Sequence, residues 1–291
     1  MSWRAIHVYY FDNQDIILKK DIKAVLKKND IYEFFFIRYW ENGPHIRLRL
    51  NDVDDSKFLT VMSEVSDCVE KHKSYVEIDE NVYEEVAAEL GKREGIKSRY
   101  YHLEKNNTIK ECKYEPELEK YSGKEGVALA EKEFIYSSKI ALDILQLNLK
   151  QSLKYIFAGL YAIDVSCAFL KTFEKNKEFF RQYTEYWIGF GENTSKSAID
   201  KYRKKIEELE LNMEVTGLIK KYYEGQKNYD FHKKLFKDLK NIISEKDIIR
   251  FGFNFVHLFN NRIGIVPAEE AMIGIIALKL MEVIDVKEIY N

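Results

Sequence analysis

The chain has 291 residues, 46% of them hydrophobic and 32% charged, with a formal net charge of −2. That balance belongs to a folded globular chain and excludes a disordered one, and the near-neutral charge argues against general affinity for nucleic acid, which needs a strong basic excess. No run approaches the roughly 20 apolar residues of a membrane span, and the N-terminal MSWRAIHVYYF lacks the apolar core of a signal peptide.

Ile6–Phe11 is β-branched and aromatic and predicts a first strand. Asp15–Lys28 follows as a short amphipathic helix. Glu33–Trp40 and His45–Leu50 read as strands on either side of Glu-Asn-Gly-Pro, and Asn-Gly is a strong hairpin signal because both residues tolerate positive φ. Ser56–Lys71 predicts a helix, and Ser74–Ile78, Arg99–Leu103 and Ile109–Tyr114 predict short strands. Beyond about Gly123 the period becomes helical, over 125–149, 152–173, 176–187, 195–209, 213–224 and 231–243. The charge run 201–210 reads as a solvated helix face. The expectation is an α+β fold with a strand-rich part over 1–122 and a helical part over 123–291. No Pro/Gly/Ser linker divides them, so a single domain over 1–291 is expected.

The hairpin carries the first cluster with chemical potential. Alternate residues of a strand share a face, so His45, Arg47 and Arg49 point one way and Ile46, Leu48 and Leu50 the other. A two-residue turn at Asn42-Gly43 would set Arg38 opposite Arg47 and Trp40 opposite His45. Like charges so close call for an anionic partner, either carboxylates of the chain or a ligand carboxylate or phosphate held by the guanidinium fork. The second segment is YEPELEKYSG at 114–123, where Pro116 and Gly123 bracket a short helix carrying Glu117 and Lys120; taken alone it reads as a capped surface helix. The third is Ser244–Gly264. Ser244 and Asp247 resemble a capping box, and the helix that follows is apolar nearly all round. Within it His257 and Asn261 share a face, and Arg262 comes next. A lone histidine there is either a satisfied core residue or a general acid/base. Glu269 and Glu270 begin the next helix, where acids complement the helix dipole. The three cysteines, Cys68, Cys112 and Cys167, lie far apart with no CxxC, which speaks against a disulfide framework and a zinc site and suits a reducing cytoplasm. No nucleotide-binding or metalloprotease motif occurs, so neither cofactor nor metal is expected.

Taken in order, FFFIRYWENGPHIRLRL, YEPELEKYSGKEGVALAEKEFIYSS and FVHLFNNRIGI with its following acidic helix resemble the lantibiotic dehydratase C-terminal family, also called the thiopeptide-type bacteriocin biosynthesis family. The resemblance spans Trp3 to about Leu280. It implies a domain that eliminates glutamate from glutamylated Ser or Thr of a ribosomal precursor peptide, leaving dehydroalanine or dehydrobutyrine. Carried over position by position, the elimination arginines fall on Arg47 and Arg49, the catalytic histidine on His257 and the acid of the middle motif on Glu117. Arg38, His45, Lys120, Asn261 and Arg262 join them as candidate substrate-binding residues. Lys120 stands where the family usually has Arg, and Ser122 replaces the first glycine of its Tyr-Gly-Gly. The length leaves no room for a glutamylation domain, so the resemblance implies the split form, a cytoplasmic lyase.

The implied partners are the precursor peptide, with its leader and glutamylated core, and a separate glutamylating protein; a homo-oligomer stays open. Two further functions fit the same resemblance. One is a pyridine-forming [4+2] cyclase of thiopeptide biosynthesis. The other is a non-catalytic subunit that binds the precursor peptide by strand addition.

Overall fold

The computed structural model describes residues 3–94, 101–188, 213–223 and 227–284, with single positions at 197, 200 and 204. Its contacts divide it into two compact units: Met1–Pro116 with Ile135–Leu147, and Glu117–Phe134 with Asn148–Asn291. The elements are those of an α+β chain, a small antiparallel sheet near the N-terminus and helices after it. The helix expected over 195–209 and the charge run within it fall outside the described residues.

The first unit is built on a four-stranded antiparallel sheet ordered β2-β3-β1-β4, with β1 Trp3–Tyr9, β2 Phe34–Tyr39, β3 His45–Asn51 and β4 Thr108–Cys112. Alternation gives the sheet two chemically distinct faces. One carries Ile6, Val8, Phe36, Ile46 and Leu48, all 0% exposed. Helix α1 (Asp15–Ile17) runs through a wider π turn (Leu18–Ile22) into α2 (Lys23–Lys28), and helix α3 spans Asp55–Lys71. Both lie on this apolar face. Arg4, which shares it, stacks on Phe58 of α3 at 3.7 Å and bonds Asp55, while Arg38 bonds Asp15 of α1. Asp54 caps α3 by accepting from the Lys57 amide. The outer edge of β2 is met by the Ser138 hydroxyl, which accepts from the Phe36 amide at 3.1 Å.

The hairpin differs from its expected form. The β2–β3 register pairs Tyr39 with His45, Ile37 with Arg47 and Phe35 with Arg49, one residue away from that of a two-residue turn. Asn42 and Gly43 do take positive φ, +62° and +102°, but inside a longer loop over 40–44, closed by the Gly43 amide on the Trp40 carbonyl. Pro44, which cannot donate to the ladder, sits just before β3. Arg38 therefore lies on the opposite face from Arg47. Ser74–Ile78, expected as a strand, forms none, because side-chain amides take the backbone groups that a ladder would use: Asn107 holds both the Ser74 amide and carbonyl, and Asn106 holds the Val76 carbonyl. No strand is formed by 101–103 either, residues 99 and 100 lying outside the described range. A helix absent from the expectations, α4 (Glu80–Glu94), packs Tyr83 and Ala87 with Tyr101, Trp40, Ile78 and Leu103.

The second unit is helical. Helix α5 (Gly123–Gln146) contributes its first half to this unit and its second half to the first. The others are α6 (Gln151–Phe169), α7 (Phe173–Trp187), α8 (Met213–Tyr223), α9 (Lys227–Leu239), α10 (Glu245–Arg262) and α11 (Pro267–Val283). Helix α6 is the core of the bundle. Among the described residues it is the one helix long and apolar enough to cross a membrane by length and composition, nearer to span length than the sequence reading allows, yet 61% of its apolar window is buried within the protein. Two glycines set the helix spacings. A Cβ on Gly159 would meet Leu280 at 2.9 Å and Ile276 at 3.0 Å, so α6 and α11 approach closely there. A Cβ on Gly274 would lie 2.2 Å from the Thr184 hydroxyl and 3.0 Å from the Phe180 carbonyl, which brings α11 against α7.

Candidate functional site

In the first unit the second sheet face is polar and aromatic. Cross-strand pairing sets His7 beside Arg47, Tyr9 beside His45, and Tyr39 on the other side of His45. His45 is fully buried, its Nδ1 donating to the Gly43 carbonyl at 2.8 Å and its Nε2 accepting from Arg47 Nε at 3.0 Å. That pattern requires a neutral ring, and burial with the neighbouring arginines pushes the pKa of His45 down to about 4. His7, 4.8 Å from His45 between ring centres, is pushed down to about 3 by burial, then His45 and the two arginines. Two neutral imidazoles thus line the arginines without adding to their charge. Arg47 lies flat on the Tyr39 ring at 3.6 Å and reaches Glu41 through Nη2 at 3.0 Å. Arg49, 9% exposed, sits between Phe35 and Tyr114 at 5.1 and 5.0 Å from the ring centres. A guanidinium is suited to bidentate carboxylate capture, and in Arg47 its Nε is held by His45 and its Nη2 by the Glu41 carboxylate.

Helix α4 holds this arrangement from behind. The Tyr83 hydroxyl donates to the Trp40 carbonyl at 3.1 Å and accepts from the Gly43 amide at 2.9 Å. The loop over 40–44 is thereby fixed, and with it Glu41 and the carbonyl that orients His45.

The second unit holds the other expected set. Ser244 caps α10, its hydroxyl accepting from the Asp247 amide; the Asp247 carboxylate bonds that hydroxyl rather than the Ser244 backbone amide, so the reciprocal half of the expected capping box is not formed. On α10, His257 stacks on Trp187 of α7 at 4.8 Å between ring centres, with a quarter of its side chain exposed. Its Nδ1 lies 2.8 Å from Oε1 of Glu270, a carboxylate with no exposure at all. The other oxygen of Glu270 accepts from the Tyr183 hydroxyl and, at 2.7 Å, from the Asn260 amide. Burial and the adjacent carboxylate push the Tyr183 pKa well up, so that hydroxyl keeps its proton and donates.

The remaining candidates lie elsewhere. Asn261 is on α10 and half-buried. Arg262 is fully buried, its guanidinium 5.5 Å from the Phe134 ring; burial lowers its pKa, opposed chiefly by Glu133. Glu117 is exposed and Lys120 half-buried, and the two pair at 3.2 Å. Ser122 takes φ +57°, the left-handed region that glycine enters most easily. The structure gathers His45, Arg47 and Arg49 on one face of the first unit's sheet, puts Arg38 on the other, and sets His257 in the second unit.

Sequence reasoning misses Glu270, Tyr183, Asn260 and Trp187. It marks Glu270 only as a complement to the helix dipole. The one available signal is an acid at the mouth of a helix as apolar as α11, since a buried carboxylate needs partners. Glu269 fits the simpler reading: it accepts from the Val266 amide at 3.2 Å and from Tyr155 at 2.5 Å. Among the described residues no group of three or more His, Cys, Asp or Glu side chains is placed to hold a metal ion.

Comparison with known proteins places this architecture. The chain is similar to the epidermin biosynthesis protein EpiB of Staphylococcus epidermidis, with 24% identity over 284 residues, covering 94% of this chain and 25% of that protein. It thus spans about a quarter of the length of the curated relative it matches. Among solved structures it resembles the pyridine synthase TbtD from thiomuracin biosynthesis, with a TM-score of 0.74, 13% identity and coverage of 97% of this chain and 99% of that one. It also resembles the tRNA-dependent lantibiotic dehydratase MibB from Microbispora sp. 107891, with a TM-score of 0.62, 14% identity and coverage of 98% and 28%. The likeness to the solved structures establishes the fold. The family model for the C-terminal part of the lantibiotic biosynthesis dehydratase matches residues 3–280, and the chain therefore belongs to that family.

Proposed function

We propose that this chain is a lyase that eliminates glutamate from glutamylated Ser or Thr residues of a ribosomal precursor peptide. The observation that carries the reading is the paired guanidinium set of Arg47 and Arg49, set against aromatic rings and flanked by neutral histidines. Elimination removes the Cα proton, breaks the Cβ–O bond of the glutamyl ester, forms the Cα=Cβ bond and expels glutamate as a carboxylate. The leaving carboxylate and the developing enolate both need cationic stabilisation. In this reading Arg47 and Arg49 supply it, with the Arg47 fork exchanging Glu41 for the substrate. His257 takes the Cα proton, a task suited to an imidazole near neutral pH. The reaction uses no cofactor. The partners are the precursor peptide and a glutamylating protein, and the compartment is the cytoplasm.

A synthetic peptide carrying one glutamyl-Ser residue tests the proposal. Incubation should release glutamate and leave dehydroalanine, with both products lost in Arg49→Ala and in His257→Ala. An inert wild-type protein given a leader-bearing glutamylated substrate would remove the reading.

A second reading is favoured by Lys120, where the family usually has Arg. Tied to Glu117 on the surface, an ammonium cannot offer the bidentate fork. On that reading the chain is a pyridine-forming cyclase, like the pyridine synthase whose fold it resembles. A peptide bearing two dehydroalanines and azoles separates the two functions, because only a cyclase converts it to a macrocycle.

A further inference from the structure

The fixed donor pattern around Glu270 decides which nitrogen of His257 is free to react. Glu270 is buried, and its two oxygens face different partners. Oε2 meets two donors, the Tyr183 hydroxyl and the Asn260 amide, and Oε1 meets His257 Nδ1 at 2.8 Å. An ionised carboxylate only accepts, so in the neutral imidazole the proton sits on Nδ1. Nε2, which makes no hydrogen bond to the described residues, is left as the acceptor. Stacking on Trp187 fixes the ring plane, and the close approach of α11 to α7 at Gly274, one turn beyond Glu270, fixes the carboxylate against Tyr183.

We propose that Glu270 is a positioning residue that locks His257 in its Nδ1–H tautomer and thereby makes Nε2 the working base. This rests on the reading above that His257 moves the substrate proton. It makes an unusual prediction for the isosteric change Glu270→Gln. With its NH2 turned toward His257, the new amide donates to Nδ1 while its oxygen goes on accepting from Tyr183 and Asn260, so this orientation keeps both existing bonds. The ring then carries its proton on Nε2 and cannot accept one there. The side chain keeps its shape and the base loses its lone pair. Forcing the wrong tautomer in this way costs on the order of 10⁴-fold in the Ser-His-Asp triad of serine proteases, where the acid likewise orients a histidine.

The test is nitrogen-15 NMR of the histidine rings in the ligand-free protein, at a pH where His257 is neutral, with the His257 signals assigned by their loss in His257→Gln. The wild-type protein should show the proton on Nδ1, and Glu270→Gln should show it on Nε2. Glutamate elimination by the variant should fall about a thousandfold or more in kcat with KM little changed. An Nε2–H ring in the wild-type protein overturns the proposal, whatever the fate of the variant. So does a variant whose tautomer flips while kcat stays at the wild-type value, or one that retains both the Nδ1 proton and full activity. Failure of the elimination reading itself looks different: wild type and His257→Gln are then equally inert, while the ring spectra still decide the tautomer.

Discussion

Removing one oxygen from helix α4 should loosen the loop that aims Arg47. The Tyr83 hydroxyl holds two backbone groups of that loop, donating to the Trp40 carbonyl and accepting from the Gly43 amide. Burial raises the Tyr83 pKa, so the group is a protonated donor at neutral pH. Tyr83→Phe deletes both bonds and leaves the ring in place. A buried backbone group left without a partner costs about 1–3 kcal/mol. Here the loss belongs at the lower end, because the Gly43 amide also donates to the Trp40 carbonyl at 3.0 Å and is not stranded. We expect about 1 kcal/mol, roughly a fivefold change in the opening equilibrium. Amide hydrogen exchange reads it directly: Gly43 should exchange about five times faster, while the Leu48 amide in the centre of β3 changes little. Because the loop carries Glu41, the Arg47 partner, KM for a glutamylated peptide should also rise. Unchanged exchange at Gly43 would refute the claim that α4 braces the loop.

Arg47→Lys keeps the charge but loses the planar stack on Tyr39 and the bond to His45; KM in the elimination assay should rise about tenfold or more, beyond what charge conservation predicts. Gly274→Ala forces α11 away from the Thr184 hydroxyl, and chemical denaturation should register a loss of about 1–3 kcal/mol from overpacking. The folded-state pKa of His45 is depressed to about 4, so the unfolded chain binds the extra proton as pH falls below the ordinary value of 6.5. Stability is then lost between those values, at up to about 1.4 kcal/mol per pH unit, and denaturation of His45→Gln across that range should show a shallower slope by about one proton. Lys120→Ala breaks a surface pair with Glu117 and a long contact with the Tyr121 ring, so stability should change by less than about 1 kcal/mol, and a large drop in elimination would then mark a substrate contact.

Much of the fold is legible in the sequence because hydrophobic period is a local signal. Strand β1 declares itself by β-branched and aromatic composition, β3 by alternation, α5 and α6 by apolar spacing, and α10 by its apolar run after the Ser244 cap. What escapes depends on partners distant in sequence. The hairpin register is misleading because Asn42 and Gly43 satisfy the local rule for a tight turn, while the loop is set by Tyr83, some forty residues later. Ser74–Ile78 has strand composition but meets the side-chain amides of Asn106 and Asn107 instead of a neighbouring strand. Helix α4 carries apolar residues that are partly solvent-exposed, Val82 and Val86 among them, which blurs its amphipathic pattern. The arginines and the histidine are visible as residue types. Their orienting partners are not: Tyr39 and Glu41 act across the hairpin, and Glu270 becomes an acid for His257 only once α10 and α11 have packed.

The most direct measurement is mass spectrometry of a leader-bearing peptide with one glutamyl-Ser residue after incubation with the purified chain. Loss of the mass of glutamate, with appearance of dehydroalanine, is the predicted result, and both should vanish when Arg47 and Arg49 are replaced by alanine. An unchanged glutamylated peptide, or equal conversion by the doubly substituted protein, would contradict the assignment.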